Sequence, residues 1–174
     1  MRFALAVALV GSLTGCGMMG SMTGGAPTAK ATLEPNKDSG VKGTATFTQK
    51  GDKVQLVANI SGLKPGQEHG FHIHEKGDCS SGDGMSAGGH FNPQSKPHAH
   101  PSTLERHAGD MFALKADDYG NAAFSTQLDI ITMTEGPTGI IGKGLIVHAQ
   151  PDDYNTQPTG NAGARVACGV IQKG

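Results

Sequence analysis

Glycine and proline interrupt this chain so often that its composition argues against a helical core. The sequence holds 27 Gly and 9 Pro in 174 residues. Between them lie short runs rich in Val, Ile, Thr and Phe, side chains that suit a pleated surface. Alternating segments fall at residues 31–34, 43–49 and 54–60, the last two joined through Lys50-Gly51-Asp52-Lys53 as a hairpin turn. Further strands are expected at 71–75, 111–115, 122–128, 144–149 and 166–172. About eight short strands imply an all-β barrel or sandwich. Two stretches break the pattern, residues 76–110 and 150–163, and loops of such length inside a compact domain are usually functional. One domain spanning residues 30–174 is long enough to be stable alone.

Residues 1–15 carry Arg2, an apolar run over residues 3–10 and then small residues, the layout of a secretory signal peptide. The run is too short to span a bilayer. Leu13-Thr14-Gly15-Cys16 resembles the lipobox of bacterial lipoproteins, where cleavage leaves the cysteine as a lipid-modified amino terminus. The alternative is a soluble secreted protein cut elsewhere. Residues 16–29, mostly Gly, Ser, Thr and Met, read as a flexible tether between lipid and domain. Its Met18, Met19 and Met22 are soft donors able to bind Cu(I), although linker methionines with no role are the plainer reading. Gly17 offers no retention signal, so the expected location is the periplasmic side of a bacterial outer membrane.

Formal net charge is −1, and the 14 basic residues form no cluster, which excludes the basic stripe of a nucleic-acid binder. Loss of residues 1–15 removes Arg2 and no acidic residue, which lowers the net charge by one. With Cys16 assigned to lipid, Cys79 and Cys168 remain as a pair in an oxidising compartment, where a disulfide is expected. It would close a loop of roughly 90 residues, for which chain entropy gives about 4.6 kcal/mol.

The sharpest local signal is Gly70-Phe71-His72-Ile73-His74. On a strand, Phe71 and Ile73 point to one face and the two imidazoles to the other. Such a pair is also compatible with an ordinary surface. His90, His98 and His107 share the first long loop with Asp110, and three imidazoles with one carboxylate match a closed tetrahedral zinc site in ligand type and number. The bland alternative is a His-rich surface tract with loose metal affinity. His148 ends the apolar run Gly144-Leu145-Ile146-Val147, where a lone histidine is more often structural.

Taken together, Gly70-Phe71-His72-Ile73-His74-Glu75, Gly89-His90-Phe91-Asn92-Pro93, Arg106-His107-Ala108-Gly109-Asp110 and Gly160-Asn161-Ala162-Gly163-Ala164-Arg165-Val166-Ala167-Cys168-Gly169-Val170-Ile171 strongly resemble the copper/zinc superoxide dismutases. The likeness runs from about Ala31 to the end. It implies an eight-stranded Greek-key β-barrel with two long functional loops. It also implies one copper and one zinc ion per subunit, the copper on His72, His74, His90 and His148, the zinc on His90, His98, His107 and Asp110, with His90 shared. No ligand position departs from the pattern, which disfavours the copper-only branch. His100 is an additional histidine outside it, and His69 matches a structural histidine of the family. Asp152 matches a carboxylate that orients one ligand of each metal, here His72 and His98. Cys79 and Cys168 match the intrasubunit disulfide, in agreement with the cysteine count.

The implied reaction is dismutation of superoxide to O₂ and H₂O₂ by a copper that alternates between Cu(II) and Cu(I). Arg165 would attract and orient the anion, and His90 would take up a proton as its copper bond breaks. Because the mature chain is slightly negative, steering would come from the local field of Arg165 and the metals. A lipid-anchored copper or zinc store without turnover could use the same scaffold. Relatives of that kind usually lack some ligands or the arginine, and this sequence keeps them all. Homodimer surfaces differ between branches of the family, and the sequence selects neither.

Overall fold

The computed structural model describes residues 25–174, and in it the sequence alternation becomes a set of antiparallel strands. β1 (Thr28–Pro35), β2 (Lys42–Lys50) and β3 (Lys53–Ser61) form a meander, with Lys50 opposite Lys53 across the Gly51-Asp52 turn. Every second side chain is buried: Ala29, Ala31 and Leu33 in β1, Ala45 and Phe47 in β2, Val54, Leu56, Ala58 and Ile60 in β3. The residues between them are mostly polar, as in an antiparallel sheet packed on one side.

Seven further strands follow: β4 (Glu68–His69), β5 (Phe71–His74), β6 (Leu114–Lys115), β7 (Ala122–Leu128), β8 (Gly144–His148), β9 (Arg165–Val170) and β10 (Gln172–Lys173). The main sheet has the order β5-β8-β9-β1-β2-β3-β7, and β10 also pairs with β1. β1 therefore lies between its successor in sequence and a strand from the far end of the chain, a Greek-key connection. A small ladder of β4 and β6 joins the edges, because β4 runs into β5 through Gly70 and β6 lies against β7. The curled sheet encloses Phe47, Leu56, Phe71, Ile73, Leu145 and Ile171, with Phe71 meeting Phe124 edge-on at 5.6 Å. The all-β Greek-key barrel expected from the sequence is the observed fold.

β5 and β8 differ from the meander in being buried on both faces. Phe71, Ile73, Leu145 and Val147 point into the barrel, while His72, His74, Ile146 and His148 occupy the outside. Two long loops cover that outer face, one between β5 and β6 and the other between β8 and β9. The first contains a short 3₁₀ turn, Met85–Ala87, and is joined to β9 by the Cys79–Cys168 disulfide. Beneath it Ala87, Ile146, Cys168 and the half-buried Cys79 form a small apolar cluster outside the barrel. The disulfide thus ties a loop without regular structure to the last long strand.

The strands depart from expectation in four places, the first being the segment 166–172, which divides at Ile171 into β9 and a short β10 that pairs with β1. β1 begins at Thr28, so the last residues read as tether already belong to the sheet. The strand expected at 111–115 shrinks to Leu114–Lys115, because the Ala113 N–H donates to Tyr154 Oη at 2.9 Å instead of joining a ladder. The two residues of β4 are too few to carry a periodicity. The segment expected to be a signal peptide, Cys16, and Met18, Met19 and Met22 of the expected tether lie outside the described residues. Among the described residues, no helix is long and apolar enough to cross a membrane.

Phe47 is 0% exposed at the centre of β2. Phe47→Ala should therefore cost about 3–5 kcal/mol, read from the midpoint of urea unfolding. A cost of less than about 1 kcal/mol would mean that the interior does not depend on it.

Candidate metal centre

Strand alternation delivers His72 and His74 to the outer face of β5, and β8 delivers His148 beside them. The remaining residues come from the first long loop, whose backbone is laid against β5. The Ile73 N–H donates to Gly109 O at 3.0 Å, Phe91 N–H to Ile73 O at 2.8 Å, and Gly109 N–H to Phe91 O at 2.9 Å. These bonds cap the edge of the sheet and bring His90, His107 and Asp110 under β5.

Two groups result, His72, His74, His90 and His148 in one and His90, His98, His107 and Asp110 in the other. Every member is buried, and within each group the candidate ligand atoms lie within 4.8 Å of one another. All seven residues singled out in the sequence are thus assembled, and His90 belongs to both groups. His100 belongs to neither, since its ring packs against Phe112 and Tyr154 and its Nδ1 meets Ser102 Oγ at 2.6 Å. His69 is also outside, with Nδ1 donating to His148 O at 2.8 Å.

The hydrogen bonds fix which nitrogen each ring presents. His74 Nδ1 lies 2.9 Å from Gly88 O and His148 Nδ1 3.2 Å from Gly163 O. A carbonyl only accepts, so both Nδ1 atoms are protonated and both Nε2 atoms carry lone pairs. These two Nε2 atoms face each other at 3.4 Å, where neither can donate. His72 gives its Nε2–H to Asp152 Oδ2 at 2.6 Å, which leaves a buried Nδ1 without a partner. His90 Nε2 is likewise buried and unpartnered. Each orphaned polar atom costs about 1–3 kcal/mol, and four inward lone pairs fit a cation.

Around a tetrahedral ion with bonds of 2.0–2.1 Å, neighbouring ligand atoms sit about 3.3–3.4 Å apart. The second group approaches that spacing, with His107 Nδ1 3.4 Å from His90 Nδ1 and 3.3 Å from Asp110 Oδ1. His90 Nδ1 and His98 Nδ1 lie closer to the same carboxylate oxygen, each at 2.9 Å. Asp152 spans the groups, accepting from His72 Nε2 through Oδ2 and from His98 Nε2 at 2.9 Å through Oδ1. The donor set fits a copper-type site of four imidazoles beside a closed zinc-type site of three imidazoles and one carboxylate.

Electrostatics agree with this division. Burial, reinforced by neighbouring imidazoles, holds His74 and His148 well below the ordinary histidine pKa. Burial and then His72 push His90 down to about 3. These rings stay neutral at physiological pH, as ligands must. His98 behaves oppositely: burial disfavours its charge, yet hydrogen bonds to Asp110 and Asp152 raise it to about 9. For Asp110 and Asp152 burial favours the neutral acid, and histidine hydrogen bonds overcome it and hold both carboxyls below their usual range. At neutral pH the His98 imidazolium offsets the Asp110 carboxylate, and a divalent ion would displace that proton in order to be held by both.

The first group opens to solvent on one side. A cavity of about 430 Å³ is lined by His148, Arg165, Lys37, Asp83, Met85 and Thr159 among others. Arg165 begins β9 opposite His148, and its guanidinium donates to Gly84 O and Gly88 O, each at 2.6 Å. Gly88 O accordingly receives both the His74 ring and the Arg165 side chain. Sequence reasoning missed Gly84, Gly88 and the buried Asn36, which donates to Arg165 O at 3.1 Å. A supporting carbonyl has no side-chain signature, and Asn36 lies 129 residues from its partner.

The family described as copper/zinc superoxide dismutase (SODC) matches residues 41–171. Superoxide dismutase [Cu-Zn] 2 of Brassica juncea is 46% identical over 143 residues, 78% of this chain and 92% of the relative. The crystal structure of the clock protein EA4 superposes with a TM-score of 0.77 at 42% identity, covering 84% of this chain and 94% of that one. With this family match and the paired histidine groups, the chain belongs to the copper/zinc superoxide dismutases, metalloenzymes that use copper and zinc to convert superoxide to O₂ and H₂O₂.

Proposed function

We propose that His72, His74, His90 and His148 hold the copper, that His90, His98, His107 and Asp110 hold the zinc, and that superoxide reaches the copper group past Arg165. The observation that carries this reading is the set of inward lone pairs on His72, His74, His90 and His148 at the one group whose member His148 lines an open cavity. When bound, copper supplies the one-electron couple through which one superoxide is oxidised to O₂ and a second is reduced to H₂O₂.

The residues of the chain do the rest. Arg165 is braced by two carbonyls, so its charge is held at the cavity rather than swinging in solvent. Net charge does not favour an anionic substrate, and attraction is therefore a local property of the mouth. His90 Nε2, buried and without a protein hydrogen-bond partner, is the atom suited to take up and return a proton during turnover. Asp152 holds the rings of His72 and His98 in the orientations that aim their other nitrogens inward. A metal store without turnover has no use for an arginine braced at the opening.

We infer further that residues 1–15 are a signal peptide and that Cys16 carries lipid, with the expected tether of residues 16–29 shortened at its end by the start of β1 at Thr28. The Leu13-Thr14-Gly15-Cys16 pattern supports this, and the Cys79–Cys168 disulfide fits an oxidising compartment such as the periplasm. The outer membrane is the favoured anchor, since Gly17 carries no retention signal.

Arg165→Glu should lower kcat/KM roughly tenfold or more and abolish or invert its decline with added salt; an unchanged salt profile would remove the arginine from substrate steering. His148→Ala should lose copper and activity while retaining zinc and the barrel, as read by metal analysis and circular dichroism. Full activity in that variant would overturn the ligand set. For the anchor, Cys16→Ser should shift the protein from the membrane to the soluble fraction, and continued membrane retention would exclude the lipid.

A further inference from the structure

Of the seven residues in the two groups, His98 has the least support from the barrel. His72, His74 and His148 lie on strands, His90 bridges to His74 through the backbone, and Asp110 bridges to His72. His107 is tied to Asp110 by its N–H, which donates to Asp110 Oδ2 at 3.1 Å. The backbone of His98 belongs to no ladder, and both of its polar groups go to one side chain on the other loop. Its N–H donates to Gln157 Oε1 at 2.9 Å, and its carbonyl accepts from Gln157 Nε2 at 2.7 Å. The paired amide reproduces one rung of a sheet.

The ring of His98 is held from that same loop. His98 Nε2 donates to Asp152 Oδ1, which also accepts from the Tyr154 N–H at 2.7 Å. Gly160 closes over this bond with φ +68°, and a Cβ there would overlap both Asp152 Oδ1 and His98 Nε2. Farther along, Thr159, Gly163 and Ala164 line the cavity, and Gly163 O fixes the His148 ring. One loop therefore grips His98 at its backbone and its ring and also shapes the opening beside His148.

We propose that Gln157 is a positioning residue for the zinc group, its side-chain amide setting the place of the His98 backbone and coupling the zinc-side loop to the loop that forms the cavity mouth. The proposal rests on the assignment of zinc to His90, His98, His107 and Asp110. Gln157 is itself exposed, so replacing it opens no hole in the core. A change in zinc retention then reports lost hydrogen bonds rather than lost packing.

The test uses full-length protein loaded with copper and zinc. Gln157→Met keeps the length and removes both bonds, whereas Gln157→Glu keeps an acceptor for the His98 N–H and loses the donor. Zinc release to excess chelator, hydrogen exchange at the His98 amide and the Tm of the metal-free protein are measured for each. Gln157→Met should release zinc about tenfold faster and expose the His98 amide to faster exchange at unchanged metal-free Tm, as expected for outer-sphere support of a ligand. Gln157→Glu should fall between it and the wild type. Wild-type release and exchange rates in Gln157→Met would overturn the proposal, as would equal losses in both variants accompanied by a lower metal-free Tm. A wild-type protein that retains no zinc would overturn the site assignment itself, a result distinct from failure of the Gln157 role.

Discussion

The period of two along β5 is the constraint on which this structure depends. It sends Phe71 and Ile73 into the barrel and His72 and His74 out of it, so four residues serve packing and chemistry at once. β8 repeats the device, with Leu145 and Val147 inside and His148 outside. A shift of one residue in register would place imidazoles in the apolar core and turn Phe71 and Ile73 toward the histidine groups. The rigid sheet fixes three of the imidazoles, and this precision passes to the loops through the bonds between Ile73, Phe91 and Gly109.

Placing histidines outside the barrel yet out of water requires a cover, and the two long loops supply it. Neither has a core of its own beyond the small cluster of Ala87, Ile146, Cys168 and Cys79. They are held by the disulfide to β9, backbone bonds to β5, the carboxylate bridge of Asp152 between His72 and His98, and the side chains of Arg165 and Gln157 on loop carbonyls and amides. Because the ligands come from both the sheet and the first loop, metal binding and loop order share one free energy. The bridge also means that a displacement of His98 in the second group is felt by His72 in the first.

Charge is arranged as locally as packing. Desolvation keeps His74, His90 and His148 neutral, and the same desolvation is overcome at Asp110 and Asp152 by imidazole donors. Neutral donors therefore lie on one side of His90 and an anionic carboxylate on the other. At the mouth Arg165 and Lys37 face a single Asp83, so the opening is more positive than a chain of formal net charge −1 suggests.

Much of this was legible in the sequence. Alternation at 43–49 and 54–60 located β2 and β3 to within a residue at most ends, and it marked Phe71 and Ile73 as core and His72 and His74 as the other face. His90, His98, His107 and Asp110 sit where no periodicity exists to be read, so their residue types alone marked them as a zinc-type set, and resemblance to a family was needed to join His148 to His72 and His74 and to make His90 the shared member. Residues 111–113 misled the strand reading, since their apolar pattern yields to one bond from Ala113 to a tyrosine 41 residues away. By itself the sequence determined which face of each strand is apolar and which residue types can hold metal, for both follow from local alternation and side-chain chemistry. Tertiary structure decided which nitrogen of each ring points inward, that Gly88 O serves both His74 and Arg165, and that Gln157 secures His98. Those choices depend on partners brought together only when the loops fold back on the barrel, and a carbonyl oxygen or an amide leaves no mark of its partner in the sequence.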